Sequence, residues 1–162
     1  MKKKIIITGG LGYIGTELCK LYSGVSWNNQ IVVIDNKFIS ERVNQLRNWN
    51  MEFVHGDILD KELINKYCKD ADIVHHLAGV TDVPRTRSES TEEKDTKIKL
   101  VAEEGTQNIL DAISNKCKII FPSTHVVYEG VEKVKNDISE EEDLKPILSY
   151  SNSKAINENQ LK

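Results

Sequence analysis

Compact aliphatic runs alternate along this chain with longer stretches in which apolar residues return every three or four positions. The compact runs predict strands over Lys3–Thr8, Gln30–Asp35, Met51–His55, Ile73–Leu77 and Lys118–Ser123. Between them, Ile14, Leu18, Leu21 and Tyr22 mark one face of a helix, and Ser40–Asn48 predicts a polar helix. Asp60 is placed as an N-cap for a helix bearing Leu63, Ile64, Tyr67 and Cys68. Ile98, Val101, Gly105, Ile109 and Ala112 repeat through a long helix, and a last helix begins near Ser149. Pro84–Asp95 is charged and poor in apolar residues, which predicts a loop or a mobile lid. The acidic run Asn136–Asp143 predicts a solvated loop. Strict alternation of strand and helix predicts an α/β fold, a doubly wound parallel sheet with strand order 3-2-1-4-5.

Composition narrows the function classes. The 162 residues fit one domain, 1–162, and a net charge of −3 with scattered Lys and Glu offers no basic stripe for nucleic acid. The Lys-rich start is followed by only three isoleucines, too few for a signal peptide, and no apolar run approaches membrane length. Three widely spaced cysteines, Cys19, Cys68 and Cys117, fit neither a disulfide framework nor a zinc site. His55, His75 and His76 fall at strand ends or within apolar strands without metal-ligand spacing, so no metal is expected. A cytoplasmic protein is expected. A doubly wound sheet continues beyond five strands, so the chain reads as the cofactor half of something longer, its C-terminal substrate domain missing. Standing alone it is expected to bind its cofactor with little turnover.

The first strand runs into Thr8-Gly-Gly-Leu-Gly-Tyr-Ile-Gly15. Strand, glycine turn and helix start are the arrangement that sets a dinucleotide pyrophosphate on backbone N–H groups, so the fold is predicted to be of Rossmann type. Asp35 closes the second strand, twenty residues after Gly15. A carboxylate there accepts both ribose hydroxyls and repels a 2′-phosphate, which selects NAD over NADP, although Lys37 partly offsets that repulsion. Tyr150 and Lys154 lie four residues apart on one helix face, where the ammonium favours tyrosinate and prepares it for proton transfer. Ser123 and Thr124 stand at the carboxyl end of the fifth strand, the ligand side of such a sheet.

In this order, these pieces resemble the extended short-chain dehydrogenase/reductase superfamily, and within it the NAD-dependent epimerase/dehydratase family of nucleotide-sugar enzymes. The resemblance includes Asp35-Asn36, Gly56-Asp57-Ile58, His76-Leu-Ala-Gly79, Gly105-Thr-Gln-Asn-Ile-Leu110, Ser123–Tyr128 and Tyr150-x-x-x-Lys154 followed by Glu158. It implies cofactor contacts at Gly9, Gly12, Tyr13, Ile14, Gly15, Asp35 and Asn36. It further implies that Asp57 and Ile58 flank the adenine and that Leu77, Ala78, Gly79 and Ser123 line the cofactor. Thr124, Tyr150 and Lys154 are implied as the catalytic triad, with Lys154 also bonding the nicotinamide ribose. A nucleotide-sugar substrate and a homodimer are the implied partners.

Three departures stand out. Ala102 replaces an asparagine, Leu148-Ser149-Tyr150-Ser151 replaces a Ser-Pro-Tyr-Gly, and Glu129 displaces a glycine to Gly130. Where the 4,6-dehydratases of the family carry an acidic pair after the threonine, this chain has His125 and Val126, and Val126 has no proton to transfer. His125 is either an acid/base group or an outward structural histidine. The expected function is a 4-epimerase-like cycle of transient hydride transfer. The alternatives are a reductase or dehydrogenase of the same superfamily and a non-catalytic dinucleotide-binding fragment.

Overall fold

The computed structural model of the chain describes residues 2–80, 83, 86–132 and 137–162. Strands β1 (Lys4–Thr8), β2 (Gln30–Asp35), β3 (Glu52–His55), β4 (Ile73–His76) and β5 (Lys118–Ile120) form one sheet in the order β3-β2-β1-β4-β5. All pairings are parallel, so the expected topology is the observed one. The helices are α1 (Tyr13–Tyr22), α2 (Ser40–Asn48), α3 (Lys61–Cys68), α4 (Glu92–Ala112) and α5 (Ser149–Gln160). Among the described residues, no helix is long and apolar enough to cross a membrane. Residues group into two compact units, 1–79 with 104–122 and 80–103 with 123–162.

The first unit holds the sheet. Ile6 lies between Val32 and Val74, and all three are fully buried, as expected for a parallel sheet covered on both faces. Side chains alternate faces along each strand. Ile5, Ile7, Ile31 and Val33 pack with Leu11, Cys19, Val43, Leu46 and Met51 on the side of α1 and α2. Asp60 caps α3 as expected, accepting from the Leu63 N–H at 3.0 Å. Burial pushes the Cys19 and Cys68 thiols up to about 12, so both are inert core residues.

Three expectations are corrected. Ile14 and Leu21 are 59% and 80% exposed; α1 instead turns Gly15, Leu18, Cys19 and Tyr22 to the sheet, a face one position round from the expected one. The fifth strand ends at Ile120 rather than Ser123, because Pro122 has no N–H for the ladder and the pairing with β4 is complete at His75–Ile120. α4 starts at Glu92, inside the expected loop, and a 3-10 turn at Arg87–Glu89 precedes it. The hydroxyl of Thr91 accepts from the Lys94 N–H at 3.3 Å, and Glu92, Glu93 and Asp95 fill the first turn. The charge that read as loop is the charge a helix N-terminus favours. Pro84 and Arg85 of the expected loop, and Asn136 of the acidic run, lie outside the described residues.

The adjacent histidines of β4 face opposite ways. His75, in register with Ile7, meets the Tyr22 hydroxyl at 2.8 Å through Nε2. Burial holds its pKa below the ordinary 6.5. Between the folded value and 6.5, the unfolded chain takes up a proton that the folded chain refuses, so stability rises with pH across that window. The contribution is complete above about pH 6.5 and is lost as pH falls through the folded value. Urea midpoints should therefore drop between about pH 7.5 and about pH 5.5, and His75→Gln should flatten that slope. An equal slope in the variant would assign the pH dependence to other groups.

Candidate functional site

In the first unit, the carboxyl ends of β1, β2 and β4 converge on the glycine turn. Gly9 sits at φ +68°, in the left-handed region. A Cβ there would lie 2.7 Å from the Ala78 N, so the backbones leaving β1 and β4 touch. A Cβ on Gly15 would lie 2.5 Å from the Gly9 carbonyl oxygen, so α1 starts directly against the turn. The N-cap of α1 is Gly12, which brings no side-chain acceptor, and the first-turn N–H groups remain for an external anion. Tyr13 and Ile14 are 85% and 59% exposed at this helix start.

Asp35 fixes the turn from β2. One carboxylate oxygen accepts from the Leu11 N–H and the other from the Lys37 N–H, both at 2.9 Å. A carboxylate offers about four acceptor positions, so two remain for ribose hydroxyls. Asn36 donates from Nδ2 to Asp57 at 2.9 Å, and Asp57 also accepts from the Leu59 N–H at 3.0 Å. Ile58 is 4% exposed, and its side chain packs on Gly105. A backbone-lined cradle, an uncapped helix start and a half-satisfied carboxylate at the tip of β2 fit a dinucleotide of the NAD type.

Two supports of this turn have no local sequence signal. Arg42, from the first turn of α2, donates to the Leu11 carbonyl oxygen. Thr8 accepts from the Ala78 N–H at 3.2 Å and bonds His76 Nδ1 at 3.0 Å, while His76 Nε2 bonds Thr106 at 2.9 Å.

The second unit carries the expected catalytic residues. Thr124 precedes the 3-10 turn His125–Tyr128 and accepts from the Val126 N–H at 3.4 Å, which leaves its own proton free to donate. Ser123 donates to Glu158 of α5. Ser123, Thr124 and His125 line a cavity of about 1030 Å3 with Glu158 and the acidic segment Glu140–Asp143; Tyr150 and Lys154 do not line it. Lys154 Nζ lies 5.8 Å from the Tyr150 ring centroid. Burial raises the Tyr150 pKa above its ordinary 10.0 and lowers that of Lys154 below 10.5. Desolvation thus outweighs the tyrosinate-favouring effect expected from the spacing alone.

Comparison with known proteins supplies the family. The model of the 3-beta hydroxysteroid dehydrogenase/isomerase family matches residues 6–162. CDP-paratose 2-epimerase of Salmonella typhi is 35% identical over 148 residues, covering 85% of this chain and 41% of that protein. UDP-N-acetyl-alpha-D-glucosaminuronate decarboxylase of Bacillus cytotoxicus is 33% identical over 130 residues, 79% of this chain and 38% of that protein. The crystal structure of UDP-glucose 4-epimerase from Brucella ovis in complex with NAD is 32% identical with a TM-score of 0.77, over 98% of this chain and 46% of that one. The chain therefore spans about two fifths of the length of these curated relatives.

The contact at Gly15 is with backbone atoms that have no rotamer to yield. Gly15→Ala should cost about 1–3 kcal/mol by urea denaturation. Gly24→Ala, with open space around the added methyl, should stay within about 0.5 kcal/mol of the parent or gain slightly. Equal effects of the two substitutions would remove the close-packing account of the turn.

Proposed function

We propose that this chain, which belongs to the 3-beta hydroxysteroid dehydrogenase/isomerase family, serves an NAD-dependent nucleotide-sugar epimerase that works by transient hydride transfer at a sugar hydroxyl carbon. The observation that carries the reading is the backbone cradle: Gly9 pressed on Ala78, α1 opening at Gly12 without a side-chain cap, and Asp35 at the tip of β2. The first-turn N–H groups of α1 would hold the pyrophosphate, and Asp35 the adenosine ribose. NAD bound there supplies a hydride acceptor that returns the hydride later in the cycle.

The chain's own residues handle the proton. The free proton of Thr124 hydrogen-bonds the reacting sugar oxygen, and Tyr150 takes that oxygen's proton and gives it back. Lys154, on the same helix face, stabilises the phenolate against the burial that opposes it. Water elimination of the 4,6-dehydratase kind needs an acid and a base beside the threonine, and Val126 offers neither. That favours epimerisation over the dehydration named for the Dictyostelium discoideum relative, dTDP-D-glucose 4,6-dehydratase, which is 34% identical.

Calorimetric titration should give NAD an affinity at least about tenfold above that of NADP, a difference of about 1.4 kcal/mol. Asp35→Ala should narrow the gap. Equal affinities in the parent chain would sink the role given to Asp35. In the protein that carries this chain, incubation with UDP-sugars should interconvert epimers without net NADH release, and Tyr150→Phe should lower turnover by at least about a hundredfold. Unchanged turnover in that variant would overturn the catalytic assignment, and stoichiometric NADH release would favour a dehydrogenase.

A further inference from the structure

α5 begins in a way its own sequence does not support. Its N-cap is Leu148, whose side chain has no oxygen to satisfy the first N–H groups. Glu129, just beyond the 3-10 turn that Thr124 caps, instead ties down the residues that lead into the helix and the Ser151 hydroxyl of its first turn. One Glu129 oxygen accepts from the Ile147 N–H at 2.8 Å, from the Leu148 N–H at 2.7 Å and from the Ser151 hydroxyl. Ser151, 1% exposed, also lies 3.1 Å from the Leu148 N. Burial works to raise the Glu129 pKa, but the bonds from Ser151, Leu148 and Ile147 prevail and hold it below the ordinary 4.5. A carboxylate at this position also meets the positive end of the helix dipole.

The same clamp fixes the segment that carries Thr124. The Lys145 N–H donates to the Val127 oxygen, and the Gly130 N–H donates to the Lys145 oxygen, both at 2.8 Å. At the other end of the segment, Ser123 donates to Glu158. Residues 123–129 are thus tied to α5 near both of its ends, and the tie at Glu129 brackets Tyr150, which sits between Leu148 and Ser151.

We propose that Glu129 is a positioning residue for the reaction: by gripping the first turn of α5 it sets the Tyr150 phenol relative to the Thr124 hydroxyl. This rests on the catalytic reading of Tyr150 given above. The grip needs an acceptor oxygen at the right reach, so the side-chain amide of glutamine preserves most of it and alanine abolishes it. Misplacement of a reacting group by about 1 Å can cost about a hundredfold in rate.

The test compares Glu129→Ala, Glu129→Gln and Tyr150→Phe in the protein that carries this chain. It measures kcat, NAD affinity and the alkaline ultraviolet titration of Tyr150, obtained by difference from Tyr150→Phe. Glu129→Ala should lower kcat about a hundredfold with NAD affinity within about twofold, and should bring the Tyr150 ionisation down toward its ordinary value as water reaches the first turn. Glu129→Gln should recover kcat to within about fivefold of the parent. Where the alanine variant does not fold, Glu129→Asp, with the oxygen withdrawn by one methylene, should show the same loss of kcat. If alanine or aspartate leaves both kcat and the Tyr150 titration at parental values, Glu129 is only a structural cap and the proposal falls. If Tyr150→Phe keeps full turnover while Glu129→Ala still moves the titration, the catalytic reading of Tyr150 fails and the grip on the helix stands.

Discussion

The first unit is organised by a single steric constraint, the contact between the backbone leaving β1 and the backbone leaving β4. With 2.7 Å between a Gly9 Cβ and the Ala78 N, nothing larger than hydrogen fits at Gly9. The polar bonds around the turn follow from that approach. Thr8, the last residue of β1, is close enough to take the Ala78 N–H, and the same hydroxyl reaches His76. Leu11, lifted over the turn, is held by Asp35 through its N–H and by Arg42 through its carbonyl. The turn is therefore a rigid node tied to three strands and a helix. Such a node keeps its shape in the absence of ligand, as backbone recognition of a phosphate would require.

The second unit uses a different physics. Its candidate catalytic helix is seated through hydrogen bonds: Glu129 at the first turn, Asn157 to the Ala102 oxygen at 2.8 Å, and Gln160 to the Glu103 oxygen at 3.0 Å. Directional bonds fix rotation about the helix axis more tightly than apolar packing does, and rotation decides where Tyr150 and Lys154 point. The cost is electrostatic. The seating that holds the phenol and ammonium also dries them, and their pKa shifts oppose a charged tyrosinate–ammonium pair.

What could be read from sequence divides along contact range. The glycine turn, the Asp60 cap and the spacing of Asp35 from Gly15 are local patterns, and the strand order, though long-range, follows from the strict alternation of strand and helix; each is present in the structure. Boundaries were harder where two local signals competed: the acidic start of α4 looks like solvated loop until the Thr91 cap is seen. The α1 face was displaced because Ile14 and Leu21 share its periodicity, while its true contact face includes Gly15, which has no side chain to mark it. The Arg42–Leu11 and Thr106–His76 bonds are out of reach of a local pattern because their partners lie 31 and 30 residues apart. Glu129 left one trace, as a misplaced glycine in a familiar pattern, but its purpose is visible only beside Leu148.

The buried residues of α5 are Ser151, Ser153, Ala155 and Asn157, small or polar groups where most docked helices carry leucine or isoleucine. Freeing such a helix uncovers little oily surface, so its detachment carries a small heat-capacity change and a shallow response to urea. Its hold on the fold then varies weakly with temperature, unlike that of an apolar helix, whose grip fades on cooling. A detached α5 also presents little sticky surface to neighbouring molecules, so momentary opening carries a low risk of aggregation.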